Sequence, residues 1–169
     1  MEIKKIYIDM DGVLADFDRG VEELCHLSAV NQSKKKPSQD DMMFAAMRGI
    51  EHFYDKLEVV PGAKKMFEII FREYGNRCEI LSGIPKPKRG ISTAGEDKVN
   101  WIHRLFSPKI KVNTVYREDK MVFCKGPEYV LIDDYEKNIN EWESRGGTAV
   151  LFTDSESTIV RLKELGILQ

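Results

Sequence analysis

Apolar residues recur along this chain at two spacings. Short runs rich in β-branched and aromatic residues, at 3–8, 77–81, 110–116, 129–132 and 148–152, predict five strands. Between them the spacing becomes helical. Phe17, Val21 and Leu24 fall on one stripe, as do Met66, Ile69, Ile70 and Tyr74. The latter helix is punctuated by Pro61 in its first turn and Gly75 at its end. Further helices are predicted over 96–106, through Val99, Ile102 and Leu105, over 135–145, closed by Gly146-Gly147, and around Ile159, Leu162 and Leu165. Strands alternating with helices predict an α/β fold, a Rossmann-like parallel sheet of about five strands with flanking helices.

One excursion interrupts the alternation after strand one. The helix from Phe17 is followed by a polar linker, Asn31 to Ser38, and then by a stripe of Met43, Met47, Ile50 and Tyr54 that predicts a second helix. Residues 17–60 therefore read as a small helical cap inserted into a core domain made of 1–16 and 61–169. Within it, Met42, Met43, Phe44 and Met47 read as cap core, and Lys34-Lys35-Lys36 as a solvated loop.

Composition narrows the function. At 169 residues, 42% hydrophobic and 32% charged, the balance is that of a globular domain with a real core. Twenty-six basic against 28 acidic residues leave a net charge of -2, which argues against a nucleic-acid polymer as partner. No apolar run approaches the ~20 residues of a membrane span, and the N-terminus runs directly into a strand, which argues against a signal peptide. Cys25, Cys78 and Cys124 are odd in number and lack a C-x-x-C spacing, so a reducing cytoplasm is the expected location.

In a parallel sheet, ligands gather at the carboxyl ends of the strands. Strand one ends in Asp9-Met10-Asp11-Gly12, strand two in Ser82-Gly83 and strand four in Asp133-Asp134, with Lys120 in the connection before strand four. Four carboxylates in one cleft repel one another, and a divalent cation with oxygen ligands relieves this; Mg²⁺ is the usual ion beside phosphate. A serine hydroxyl, backbone N–H groups at Gly83 and a lysine suit a phosphate dianion. Asp9, rigid at the strand tip, is then the candidate nucleophile toward phosphorus. Asp11, two residues on, is the candidate acid and base. Gly12 permits the sharp turn that follows.

An acidic turn alone would give Asp-x-Asp-Gly as readily, but the ordered set of Asp9/Asp11, Ser82, Lys120 and Asp133/Asp134 would not. An EF-hand loop needs its glycine later than Gly12 stands. A receiver domain would carry its acceptor aspartate after strand three, where Tyr116-Arg117 stands, and its lysine after strand five, where Thr153-Asp154 stands. Lys125 and Lys98 are rivals to Lys120 as the phosphate lysine, with a solvated helix position the alternative for Lys98. Asp16 reads as a helix N-cap.

This ordered set resembles the haloacid dehalogenase-like phosphohydrolase superfamily. Residues 9–17, the Val60-Pro61-Gly62-Ala63 turn, Asp97-Lys98-Val99-Asn100-Trp101 and Leu131-Ile132-Asp133-Asp134 are most similar to its 5′(3′)-deoxyribonucleotidase group. The resemblance implies that Asp9, the main-chain carbonyl of Asp11 and Asp134 hold Mg²⁺, that Lys120 binds phosphate, and that Phe17 lines a nucleoside pocket. It also implies a small phosphorylated substrate, a nucleoside monophosphate, with another small phosphate ester, a phosphotransferase reaction or a non-catalytic nucleotide-binding role as the alternatives. The sequence departs from the group at Gly83-Ile84-Pro85, where Ser-Pro is typical, and at Tyr135, where arginine is usual.

Overall fold

Five short strands, β1 (Lys5–Ile8), β2 (Cys78–Gly83), β3 (Lys111–Val115), β4 (Tyr129–Asp133) and β5 (Thr148–Leu151), pair in parallel in the computed structural model, which describes residues 1–169. Their order is β3-β2-β1-β4-β5. The chain therefore builds outward from β1 to β3, crosses back, and lays β4 on the other side of β1. The two strands flanking that reversal define the crevice where an open α/β sheet accepts a ligand.

Alternation along the strands covers both faces. Ile6, Ile8, Ile80, Val130, Ile132 and Val150 enter the larger core, with Met66 and Ile70 of α3 (Ala63–Tyr74), Trp101 and Ile102 of α4 (Ala94–Leu105) and Leu162 of α6 (Ser155–Glu164). Tyr7, Leu81 and Leu131 point the other way, onto Trp142 of α5 (Glu136–Ser144) and Cys124. Trp142 is locked in place, its indole N–H donating to the carbonyl of Tyr129 (3.0 Å).

The stretch between β1 and α3 contains α1 (Phe17–Cys25) and α2 (Pro37–Arg48). The side chain of Asp16 caps α1, as expected, accepting from the N–H of Arg19 (3.3 Å). The second helix is shorter than its apolar stripe suggested. Gly49 caps it, His52 takes a left-handed conformation (φ 53°), and Tyr54 falls in a 3₁₀ turn, Phe53–Lys56. A chain reversal, not a continuing helix, thus brings Tyr54 beneath Phe17, with ring centroids 6.2 Å apart and planes nearly parallel. Val21, Met43, Met47, Phe53 and Tyr54 share one apolar core with the sheet. Trp101 of α4 donates to the carbonyl of Leu57 (2.8 Å), and Arg89, after β2, reaches Asp40 (2.9 Å) and Asp41 (2.6 Å) of α2. Met42 is 60% exposed, whereas Met43 and Met47 are buried.

Candidate active site

Asp9 follows β1 directly, and its N–H donates to the carbonyl of Ile132 in β4 (2.9 Å), so the backbone on both sides fixes it. The chain then folds into a tight turn. The N–H groups of Leu14 and Ala15 both return to the carbonyl of Met10 (2.9 Å each), and Gly12 has φ +82°. A Cβ at Gly12 would lie 1.9 Å from Asp134 Oδ2, so Asp134 rests where only glycine leaves room. Asp11 reaches the cleft through this turn rather than along an extended strand.

Asp9, Asp11, Phe17, Gly83, Lys120, Asp133 and Asp134 all line a single cleft of about 510 Å³ at the carboxyl ends of β1 and β4. Ser82 lies beneath it, fully buried. Lys125 is exposed and stands outside the cleft. One carboxylate oxygen each from Asp9, Asp133 and Asp134 lie within 4.8 Å of one another. Lys120 Nζ donates to Asp9 Oδ1 (2.9 Å) and Asp133 Oδ2 (2.8 Å). Asp133 is used up by this network: it also accepts from Asn138 Nδ2 (3.1 Å) and from the N–H of Tyr135 (2.9 Å). Arg117, another cation on the cleft wall, donates to the Asn138 oxygen (3.0 Å).

The electrostatics follow from burial. Loss of solvent and the neighbouring Asp133 push the Asp9 carboxyl up to about 7, against the pull of Lys120. Asp134 is exposed on the cleft, yet partial loss of solvent around its carboxyl, with Asp9 and Asp133 beside it, pushes it up to about 9. Burial opposes the charge on Lys120, but Asp133 and Asp9 outweigh it and hold the ammonium charged. Too much negative charge for one lysine to neutralise, oxygen donors only, and a glycine floor beneath Asp134 together fit a hard divalent cation.

Lys98 is the second lysine of the site. It is fully buried, not solvated, and uses all three of its protons, donating to Asp11 Oδ2 (2.7 Å), Ser82 Oγ (2.9 Å) and the carbonyl of Gly83 (2.6 Å). Its ammonium stands 4.4 Å from the centroid of Tyr54. The signal was present: Ala94, Lys98, Trp101 and Ile102 share one buried stripe of α4. Asp11 Oδ1 is buried and has no partner.

The fold is that of the haloacid dehalogenase-like hydrolases. A hydrolase of that superfamily from Ehrlichia chaffeensis superposes with a TM-score of 0.58 at 11% identity, covering 98% of both chains. The L-2-haloacid dehalogenase of Xanthobacter autotrophicus superposes at 0.52 with 12% identity, covering 99% of this chain and 84% of its own. More particularly, the chain belongs to the family described as 5′ nucleotidase, deoxy (pyrimidine), cytosolic type C, whose model matches residues 2–162. It is a phosphatase of the 5′-nucleotidase kind. A Vibrio phage KVP40 protein that carries the provisional name 5′(3′)-deoxyribonucleotidase is 28% identical over 133 residues, 79% of this chain and 67% of that one. No helix is long and apolar enough to cross a membrane.

Proposed function

We propose that the chain is a Mg²⁺-dependent phosphomonoesterase that hydrolyses nucleoside 5′-monophosphates, deoxynucleotides among them, through a phosphorylated Asp9. One observation carries the reading: Asp9 and Asp134 share a crowded acidic cluster with a buried lysine, and a second buried lysine beside them holds Asp11. In the first half-reaction an Asp9 oxygen forms a bond to phosphorus while the bond from phosphorus to the leaving oxygen breaks. Asp11 gives its proton to that oxygen. In the second, water attacks the same phosphorus, Asp11 takes a proton from it, and the Asp9–phosphate bond breaks to release inorganic phosphate.

The lysines divide the work. Lys120 spends two protons on Asp9 and Asp133 and has a third for a phosphoryl oxygen. Lys98 has none to spare and instead aims the Asp11 carboxyl and the Ser82 hydroxyl. The backbone of Gly83, at the cleft wall, completes the phosphate cradle. Mg²⁺, held by Asp9, the Asp11 carbonyl and Asp134, would offset the charge of the acids and of the transferring group. Phe17, beside Tyr54, supplies an apolar surface for the nucleoside. The inserted segment, 17–60, acts as a cap that roofs the cleft and excludes bulk water. Three unpaired cysteines suit a cytosolic enzyme.

A panel of nucleoside monophosphates against sugar phosphates tests the substrate class. Preferential hydrolysis of nucleotides, lost in EDTA and restored by Mg²⁺, is the expected result. Equal rates on all esters would remove the nucleotide reading, and indifference to chelator would remove the metal.

A further inference from the structure

The roof of the cleft holds a cation that the phosphate chemistry does not use. Lys35, in the linker that precedes α2, lines the cleft with a side chain only 8% exposed. The run Lys34-Lys35-Lys36 thus splits: its outer two residues are solvated and the middle one turns inward. Burying an ammonium is costly unless it is paired, and this one is paired poorly. Its single hydrogen bond is to the thioether of Met43 (3.3 Å), a weak acceptor. Asp40 stands 3.8 Å away, beyond hydrogen-bonding reach, and is already engaged by Arg89. The exposed Asp18 is a second charged neighbour. An apolar chamber of about 250 Å³ lies behind, sharing Asp18, Val30, Lys35 and Met43 with the main cleft.

A buried donor short of acceptors, facing a ligand cleft, is arranged for an acceptor on the ligand. We propose that Lys35 is a specificity-determining residue, donating a hydrogen bond to a ring carbonyl oxygen of the nucleobase in the leaving group. This rests on the nucleotidase reading above. The phosphate end of the cleft has its own cations, Lys120 and Arg117, so Lys35 discriminates among leaving groups rather than binding the phosphoryl group. It contributes to selection of the base and leaves the chemistry at Asp9 untouched.

The test compares wild type with Lys35→Met, which keeps the apolar stem, on dUMP and on 2-deoxyribose 5-phosphate, which has the same ester and no base. A hydrogen bond to a charged group predicts a loss of about ten- to a hundredfold in kcat/KM on dUMP, carried by KM. Activity on the abasic ester stays unchanged, and the melting temperature is equal or higher because a strained charge has gone. Equal losses on both esters, no loss on either, or a fall in melting temperature would overturn the role of Lys35 while leaving the nucleotidase reading intact. Wild-type enzyme that turns over dUMP no better than the abasic ester would overturn both.

Discussion

At the scale of single residues, the proposed reaction separates groups that react from groups that hold them. Asp9→Asn is expected to reduce turnover to background, measured by phosphate release, with a circular dichroism spectrum like that of the wild type. Asp11→Asn keeps the nucleophile and loses the proton relay, which predicts a fall of about 10²–10⁴-fold in kcat. Lys120→Met differs from both, because it strips Asp9 and Asp133 of their common partner. Leaving buried carboxylates uncompensated predicts a loss on the order of 3–5 kcal/mol in denaturant unfolding of the cation-free protein. Asp9, Asp11 and Lys120 were legible in the sequence because each sits at a strand end or in the connection between strands, where local order alone indicates the side of the sheet. Lys98 was legible only as a rival phosphate lysine with a solvated alternative, and Lys35 not at all. A lysine on a helix or in a polar linker is solvated by default, and only the packing around it shows the opposite.

At the scale of elements, close backbone approach matters more than propensity. The turn after β1 depends on Gly12, where a methyl group would displace Asp134 and would sit at an unfavourable φ. Gly12→Ala is therefore expected to weaken activation by Mg²⁺, seen as a higher Mg²⁺ concentration for half-maximal rate, more than it lowers the melting temperature. Gly147, ahead of β5, has a different constraint. A Cβ there would meet Cys124 Sγ and Trp142 Nε1 at 2.4 Å each, in the small core under β4. Gly147→Ala predicts a destabilisation of about 1–3 kcal/mol by chemical denaturation, with the cleft chemistry preserved in the folded fraction. The predicted strands all formed, with ends shifted by a residue or two. The predicted helix carrying Met43 to Tyr54 broke at Gly49, because the apolar stripe recorded burial, not continuity.

At the scale of the whole molecule, folding gathers acids that would be ionised apart. In the unfolded chain Asp9 and Asp134 titrate near 4, and in the folded one they are pushed up to about 7 and about 9. The folded state thus binds more protons across that interval. Its stability from these groups is full below about pH 4 and is lost as pH rises through 7 and 9. The cation-free protein is expected to melt at progressively lower temperature from about pH 5 to about pH 9. Added Mg²⁺ should raise the melting temperature far more at the upper end than at the lower, because the cation must displace protons at low pH. A flat pH profile, or an Mg²⁺ effect independent of pH, would count against this reading of the cluster.

The linear chain by itself determined the parallel sheet, the family and the acids at its strand tips, since hydrophobic period and short-range spacing are local properties. The tertiary structure alone decided which lysines lose their water, where Tyr54 returns under Phe17, and what faces the roof of the cleft. Those depend on how far separated segments meet, and burial, which no local pattern contains, then sets whether a charge reacts, positions or selects.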